Sequence, residues 1–409
     1  MAITYDNIYA VATSLLSQAT GSEEVVTDTG SMVSVANRVL QTSFDQLMNA
    51  IAVQVTSRIY AVRPYTSRFR AIMRNDEEYG NIVEKISFMD TPLDENDPMF
   101  SHTLLADGET VDHYTIQKDK PVQFNIYDSK YFGKHRTVLR EQIKDAFTGP
   151  TQLGNFLSAT TLHFSNQIEQ VEEVLTKAVV LNYMAGLAEY DIAGADDFAV
   201  VDLLTEYNTL NGTSITSAQV MNAENAEKFY RFAIQTINNY REWMTDRNYL
   251  YHRNVDDIPI ARHTPTDYQD LYILSQNMNI AKTQVFPDAF HDDYLKLNNY
   301  TSVTYWQTPD LRDTVNVKSK YLNLNDGTVS TSTKGCTFVP FALLCDHDAM
   351  GINFKFRDAY STPLNASGGY YNIWFHSLAQ YFNDFTENAV LFTIGKPTAN
   401  TGGTGDTGV

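Results

Sequence analysis

Residues 365–395 read NASGGYYNIWFHSLAQYFNDFTENAVLFTIG, and the chain then runs out as KPTANTGGTGDTGV, 396–409. Tyr370, Tyr371, Trp374, Phe375, Tyr381, Phe382, Phe385 and Phe392 crowd the first stretch, whose only formal charges are Asp384 and Glu387 if His376 is neutral. Tyr371, Ile373 and Phe375 recur at every second residue, the period of a strand with one face in a core. AVLFTIG, 389–395, is a continuous apolar run of the kind found in a strand buried on both faces. The Gly- and Thr-rich remainder can bury almost nothing. The packed fold is therefore expected to end at Gly395, with 396–409 as a flexible tail.

Upstream of this stretch the pattern changes several times. Residues 1–60 hold two helical signals, YDNIYAVATSLL and SVANRVLQTSFDQLMNAIAVQVTSRI, parted by the polar SQATGSEEVVTDTGSM. A loop that polar is not core, so this part reads as an extended arm. IVEKISFM (82–89) and PVQFNIYDS (121–129) alternate like strands, and about thirty residues lie between them. A connection that long is unusual inside a compact domain. ADGET is a good hairpin turn, and Met99, Phe100, Leu104 and Leu105 would be wasted on solvent. The expectation is a projecting β-hairpin that finds its partner on another molecule.

Pro150, after Thr148-Gly149, suits the first turn of a long helix over about 150–186. Leu153, Leu157, Phe164, Ile168, Val171 and Leu175 recur near a 3.6 period, with Glu169, Glu172 and Glu173 expected mostly elsewhere on the wheel. A second helix spans about Asn222 to Met244, with Ala226, Tyr230, Ala233, Ile237, Tyr240 and Met244 as its apolar stripe. IPIARH, DLYILS, SVTYW and TFVPFALLC then read as short strands of an α+β domain. No internal repeat is evident.

The bulk numbers narrow the function. The chain has 409 residues, enough for two or three subdomains, and 43% hydrophobic content supplies ample core. Its formal net charge of −19 repels phosphate and argues against nucleic-acid binding through counterion release. Cys336 and Cys345 are too few for a disulfide framework and read as buried free thiols. AVVLNYMAGLA is broken by Asn182, and no apolar run is long enough to span a bilayer. The start, MAITYDNIYAVATSLL, lacks the basic region of a signal peptide, so the expected site of synthesis is a cytoplasm.

Catalytic signatures are weak. There is no P-loop, G-x-S-x-G or H-E-x-x-H. GTGDTG (403–408) imitates a dinucleotide fingerprint, but no helix can follow it to hold a pyrophosphate. In CDHDAMG (345–351), Cys345 and His347 can share one strand face, yet a metal needs further converging ligands; the plainer reading is a strand end turning into a loop. DENDPM (94–99) starts like a calcium loop, but Met99 stands where that loop needs Gly and Leu105 where it needs Glu. Asp196/Asp197 and Asp292/Asp293 are acid pairs that sequence cannot set across a cleft. The aromatic run can be a sugar-stacking platform or core and subunit contact, and the second is the commoner use.

The order of these elements resembles the major capsid proteins of tailed phages, the Hong Kong 97-type fold. An arm is followed by a long hairpin, whose return strand leads through KHRTVLREQIKDAFTGPTQLGNFLSATTLHFSNQIEQVEEVLTKAVVLNYMAG into a long spine helix. An α+β insertion and a final ENAVLFTIG complete the order. The likeness runs from about residue 40 to 395, and it is closest to the small short-tailed, picovirus-type podophages of Gram-positive bacteria. It implies an α+β fold with an N-terminal arm (1–62), an extended hairpin or E-loop (80–130), a peripheral domain with the spine helix (63–79, 131–215, 346–395) and an axial domain (216–345).

It further implies a virion protein, assembled in the bacterial cytoplasm into hexamers and pentamers of an icosahedral shell around double-stranded DNA. No enzymatic activity, cofactor or membrane is implied. Met99, Phe100, Leu104, Leu105, Tyr371, Trp374 and Phe375 become subunit-contact candidates. No long scaffolding region precedes the arm, which implies a separate scaffolding protein, and a portal protein is the other expected partner. An acidic wall should leave packaged DNA free to slide. The sequence departs from some relatives in having no immunoglobulin-like domain after Gly395. The Lys–Asn cross-link of the founding member cannot be assigned either: Lys118 and Lys120 lie in the hairpin without an identifiable acceptor Asn. Two other readings stay open, an encapsulin-like compartment enclosing a cargo enzyme and an acidic glycoside hydrolase.

Overall fold

The computed structural model describes residues 69, 72–74, 83–89, 107–108, 120–126, 129–139, 150–194, 199–254, 260–284, 297, 299–322 and 328–400. The arm (1–62), the candidates Met99, Phe100, Leu104 and Leu105, and the chain beyond Asn400 lie outside these residues.

Sixteen strands are described. The first four are β1 (Met73–Arg74), β2 (Val83–Met89), β3 (Lys120–Ile126) and β4 (Lys130–Leu139). Next come β5 (Val200–Asp202), β6 (Gln269–Leu274), β7 (Tyr300–Val303), β8 (Val315–Val317), β9 (Lys320–Leu322) and β10 (Val329–Thr331). The last are β11 (Cys336–Phe338), β12 (Pro340–Asp346), β13 (Met350–Ser361), β14 (Tyr370–Asn383), β15 (Ala389–Thr393) and β16 (Thr398–Ala399). The described α-helices are α1 (Pro150–Ile192), α2 (Leu203–Asn211), α3 (Ala223–Trp243) and α4 (Ser275–Gln284).

Proline's fixed φ suits a first helical turn, and α1 does begin at Pro150. Its 43 residues give a rod of about 65 Å at 1.5 Å per residue, longer than the expected span. By compactness the chain divides into two units, and the division runs within α1, after Lys177. The first unit takes residues 1–80, 128–177 and 352–381, and the second takes 81–127, 178–351 and 382–409.

In the first unit a four-stranded sheet has the order β1-β13-β14-β4. Strands β14 and β4 pair antiparallel over ten positions, from Tyr370↔Leu139 to Ala379↔Lys130. Tyr371, Ile373, Phe375, Ser377 and Ala379 are buried, so every second residue of this strand forms its inner face. Helix α1 contributes Phe164 and Ile168 to the buried set, together with Glu169 and Glu172. The expectation that those acids lie off the buried face is thus corrected for two of the three. For Glu172 the physical reason is a cation on the sheet. Arg357 of β13 reaches Glu172 at 3.3 Å, with both side chains almost wholly out of solvent.

In the second unit a five-stranded sheet has the order β5-β15-β12-β6-β7. Every residue of β15 and β12 is buried, as their continuous apolar runs demand. Helix α3 packs Ala226, Tyr230, Ala233, Ile237, Tyr240 and Met244 into the same core, the stripe expected from the 3.6 period. Helix α2 is bounded by local chemistry. The Asp202 carboxylate accepts from the Leu204 and Thr205 amides at its start, and Gly212 ends it in the left-handed region at φ 62°. The same carboxylate oxygen accepts from the Gly395 amide at 2.9 Å.

The fold does not stop at Gly395. Thr398 and Ala399 form β16 against Cys336 and Thr337, and Thr337 donates to Asn400 Oδ1 at 2.6 Å. The expected tail therefore begins as an edge strand, because a polar backbone can still satisfy its amides on a neighbouring strand. IPIARH was expected as a strand as well; among the described residues it holds only a single bridge, Arg262 to Asn248.

Gly186 of α1 sits against Phe385, whose ring stacks on Tyr183 with centroids 4.9 Å apart. A Cβ at Gly186 would come within 2.5 Å of Phe385 Cζ. Gly186→Ala gains about 1 kcal/mol of helix propensity, but the forced ring displacement costs about 1–3 kcal/mol. The expected outcome in a thermal melt is a lower Tm; an unchanged or higher Tm would show that the ring moves freely.

Candidate subunit-contact surface

Strands β2 and β3 form the expected antiparallel ladder, from Val83↔Ile126 to Met89↔Lys120, and Asp107-Gly108 lies in a turn with Gly108 at φ 95°. The two faces of the ladder differ. Glu84, Ile86 and Phe88 point outward, opposite exposed Asn125, Gln123 and Pro121. Ile86 is 60% exposed and Phe88 61%. These two large apolar side chains form an exposed stripe along the outward face.

The inward face carries Lys85 and Ser87. The Lys85 ammonium reaches the Asp384 carboxylate and lies 2.5 Å from Glu387 Oε1. Arg262 adds a second cation, 3.6 Å from Glu387 Oε1, and donates to Ser87 Oγ at 2.6 Å and to the Thr386 carbonyl at 3.1 Å. Asp384 also orders its own turn, accepting from the Thr386 amide and hydroxyl. Two cations and two carboxylates thus fasten the base of the hairpin to the turn between β14 and β15. Burial pushes the Glu387 carboxyl up against the pull of Lys85 and Arg262. Burial alone would lower Lys85, but Asp384 and Glu387 together outweigh it and raise its pKa.

A raised lysine pKa means that the folded state holds the proton more tightly. Its stabilisation is whole below the unfolded value of 10.5 and is lost as pH rises through the higher folded value. Tm measured from neutral pH up past that value should therefore fall more steeply for the wild type than for Lys85→Met. Parallel curves would mean that the ammonium contributes nothing.

On the four-stranded sheet, the face opposite Tyr371 and Phe375 carries a column of rings. Trp374 stacks on His135 (4.4 Å, 25°) and on His376 (5.8 Å, 9°). Tyr131 stacks on His376 at 5.3 Å and hydrogen-bonds its Nδ1, while Tyr360 and Phe356 lie 5.7 Å from His376 and 6.4 Å from Tyr131. Tyr131 and Tyr360 are more than half exposed.

These positions sort the candidates. Trp374 lies on the outward face. Tyr371 and Phe375 are 2% and 0% exposed and belong to the interior of their own unit, so they are withdrawn as contact residues. Strand alternation alone gives two faces without naming the buried one. The exposed Ile86, Phe88, Tyr131 and Tyr360 were not singled out from the sequence, although the first three alternate within IVEKISFM and KYFGKHRTVL and Tyr360 lies in MGINFKFRDAYS.

No group of metal-ligating side chains converges among the described residues. Cys345 Sγ lies 3.7 Å from the Asp270 carbonyl, and His347 Nδ1 lies 2.9 Å from the Asp270 carboxylate. Burial pushes the Cys345 thiol well up and Cys336 to about 12, so neither offers the thiolate that a metal or a nucleophilic role needs. No described helix is long and apolar enough to cross a membrane.

The model of the Phi29-like phage major capsid protein family matches residues 9–393. No curated protein matches the chain. Among solved structures, a chain in that of the head fiber and inner core protein gp22 of native bacteriophage P68 is similar at a TM-score of 0.50 and 11% identity, covering 80% of this chain and 85% of that one. A chain of the Staphylococcus phage Andhra capsid gives a TM-score of 0.47 and 12% identity over 82% and 86% of the two chains. A chain of the cyanophage P-SCSP1u capsid gives 0.41 and 10% over 83% and 91%.

Proposed function

Because the chain belongs to the Phi29-like phage major capsid protein family, and is therefore a structural component of a phage head with the Hong Kong 97-like capsid fold and not an enzyme, we propose that it closes its shell by laying the outward face of its hairpin on a neighbouring copy. The observation that carries this is the two-faced ladder. Its inner side is fastened by Lys85 and Ser87, and its outer side presents Ile86 and Phe88 to solvent in the isolated chain. The ring column of Tyr131, His135, Trp374, His376 and Tyr360 is the apolar surface best suited to receive it. Met99, Phe100, Leu104 and Leu105 would extend the same contact.

The rest of the proposal follows the family architecture. Residues 63–79, 131–215 and 346–395 would build the periphery of each capsomer, and 216–345 would point to its axis. Hexamers and pentamers would form an icosahedral shell in the host cytoplasm, with a separate scaffolding protein and a portal. Packaged double-stranded DNA would meet an acidic protein, net −19, that does not hold it. A picovirus-like podophage is the source this reading favours. The encapsulin alternative is not favoured by the family, and no separate feature of the chain revives it.

Replacing Phe88 with photoreactive benzoylphenylalanine tests the contact. Irradiated particles should yield dimers and larger species on a denaturing gel, with adducts mapping to the ring column of another copy. Adducts confined to single chains would refute the hairpin contact.

A further inference from the structure

A hairpin that reaches a neighbour acts as a lever, and its base decides where its tip goes. Strand β2 is held on its inward face by Lys85 and Ser87, and their partners come from two separate places in the chain: Arg262, and the turn that carries Asp384 and Glu387. Apolar packing would tolerate sliding and tilting. A lysine bridging two carboxylates, one of which also meets an arginine, has a narrow optimum of angle and distance. The four side chains are partly buried, from 12% to 27% exposed, so water weakens the pairs less than it would on an open surface. Charges are costly to enclose, and their best-attested return is one arrangement chosen over alternatives.

We propose that Lys85, Arg262, Asp384 and Glu387 form a pose-setting latch, which fixes the projection angle of the hairpin and so decides whether neighbouring copies close into a shell. The latch rests on the head-protein reading for its consequence, but its geometry can be tested on the unassembled chain. These are positioning residues. They do not touch the neighbour; they aim Ile86 and Phe88 at it. Closed shells demand that the same contact repeat at compatible angles, so a hairpin free to swing would still bind but would propagate errors.

The test uses the full chain with spin labels on Gln123→Cys, on the hairpin, and Lys228→Cys, on α3. Both sites are exposed, while the native Cys336 and Cys345 are buried. Pulsed dipolar distances in the unassembled protein should be narrow for the wild type and for Lys85→Arg. They should be broadened by about twofold for Lys85→Met and for the milder Glu387→Gln, since removing one partner of a coupled network loosens all of it. With scaffold co-expressed, the two loosened variants should give about tenfold fewer closed shells, with open sheets and spirals in their place.

Narrow distances in both loosened variants would overturn the latch. Broadened distances with a normal shell yield would overturn its role in closure. If the wild type itself forms no shells, the head-protein reading fails, while the label distances still decide whether the latch exists.

Discussion

Glu172→Ala is expected to lower stability by about 3–5 kcal/mol, because it removes a carboxylate from beside the buried Arg357 guanidinium. The two side chains meet at 3.3 Å with 0% and 1% of their surface exposed. Arg357 also lies 3.6 Å over the Phe354 ring, which a cation prefers but which cannot replace an anion. Tyr381, pushed up to about 12 by burial first and the charge of Glu172 second, belongs to the same enclosed setting. The prediction extends to the pair. Glu172→Leu with Arg357→Leu should recover most of the loss, since replacing both charges with apolar groups is often neutral. Chemical denaturation of the two single variants and the double variant checks this. Additive losses in the double variant would mean that the pair is not coupled.

Ile86→Asp with Phe88→Asp is expected to abolish assembly while leaving the folded chain almost unchanged. Both residues are about 60% exposed, so the chain's own core does not use them. Substitutions at such positions usually move stability by less than about 0.5 kcal/mol. In a shell, two carboxylates per hairpin would have to be desolvated at every contact, which costs several kcal/mol each time. A thermal melt should therefore show the wild-type Tm, and sedimentation should show no particles. Normal particles from this variant would refute the assignment of the hairpin's outward face.

The elements legible in the sequence are those that short-range periodicity controls. The α3 stripe from Ala226 to Met244 and the all-buried β15 follow from spacing and composition over one element, and both lie where expected. Helix α1 was legible at its start through Pro150 and in its buried Phe164 and Ile168, but not in the acids Glu169 and Glu172 that share their burial. The Glu172 position is explained by Arg357, a residue on a strand far along the chain, and no local pattern announces such a partner. The same holds for Lys85, whose partner Asp384 is 299 positions away. Trp374 and Phe375 show a second limit. Alternation separates them onto opposite faces, but which face is covered depends on where α1 lies. β16 shows a third, since Thr398 and Ala399 pair through backbone groups that composition does not reveal.

Negative-stain electron microscopy of the purified chain, alone and co-expressed with a candidate scaffolding protein, tests the central claim most directly. Icosahedral shells, or hexamer and pentamer rings, are the predicted result. A uniform population of small particles under both conditions would contradict it.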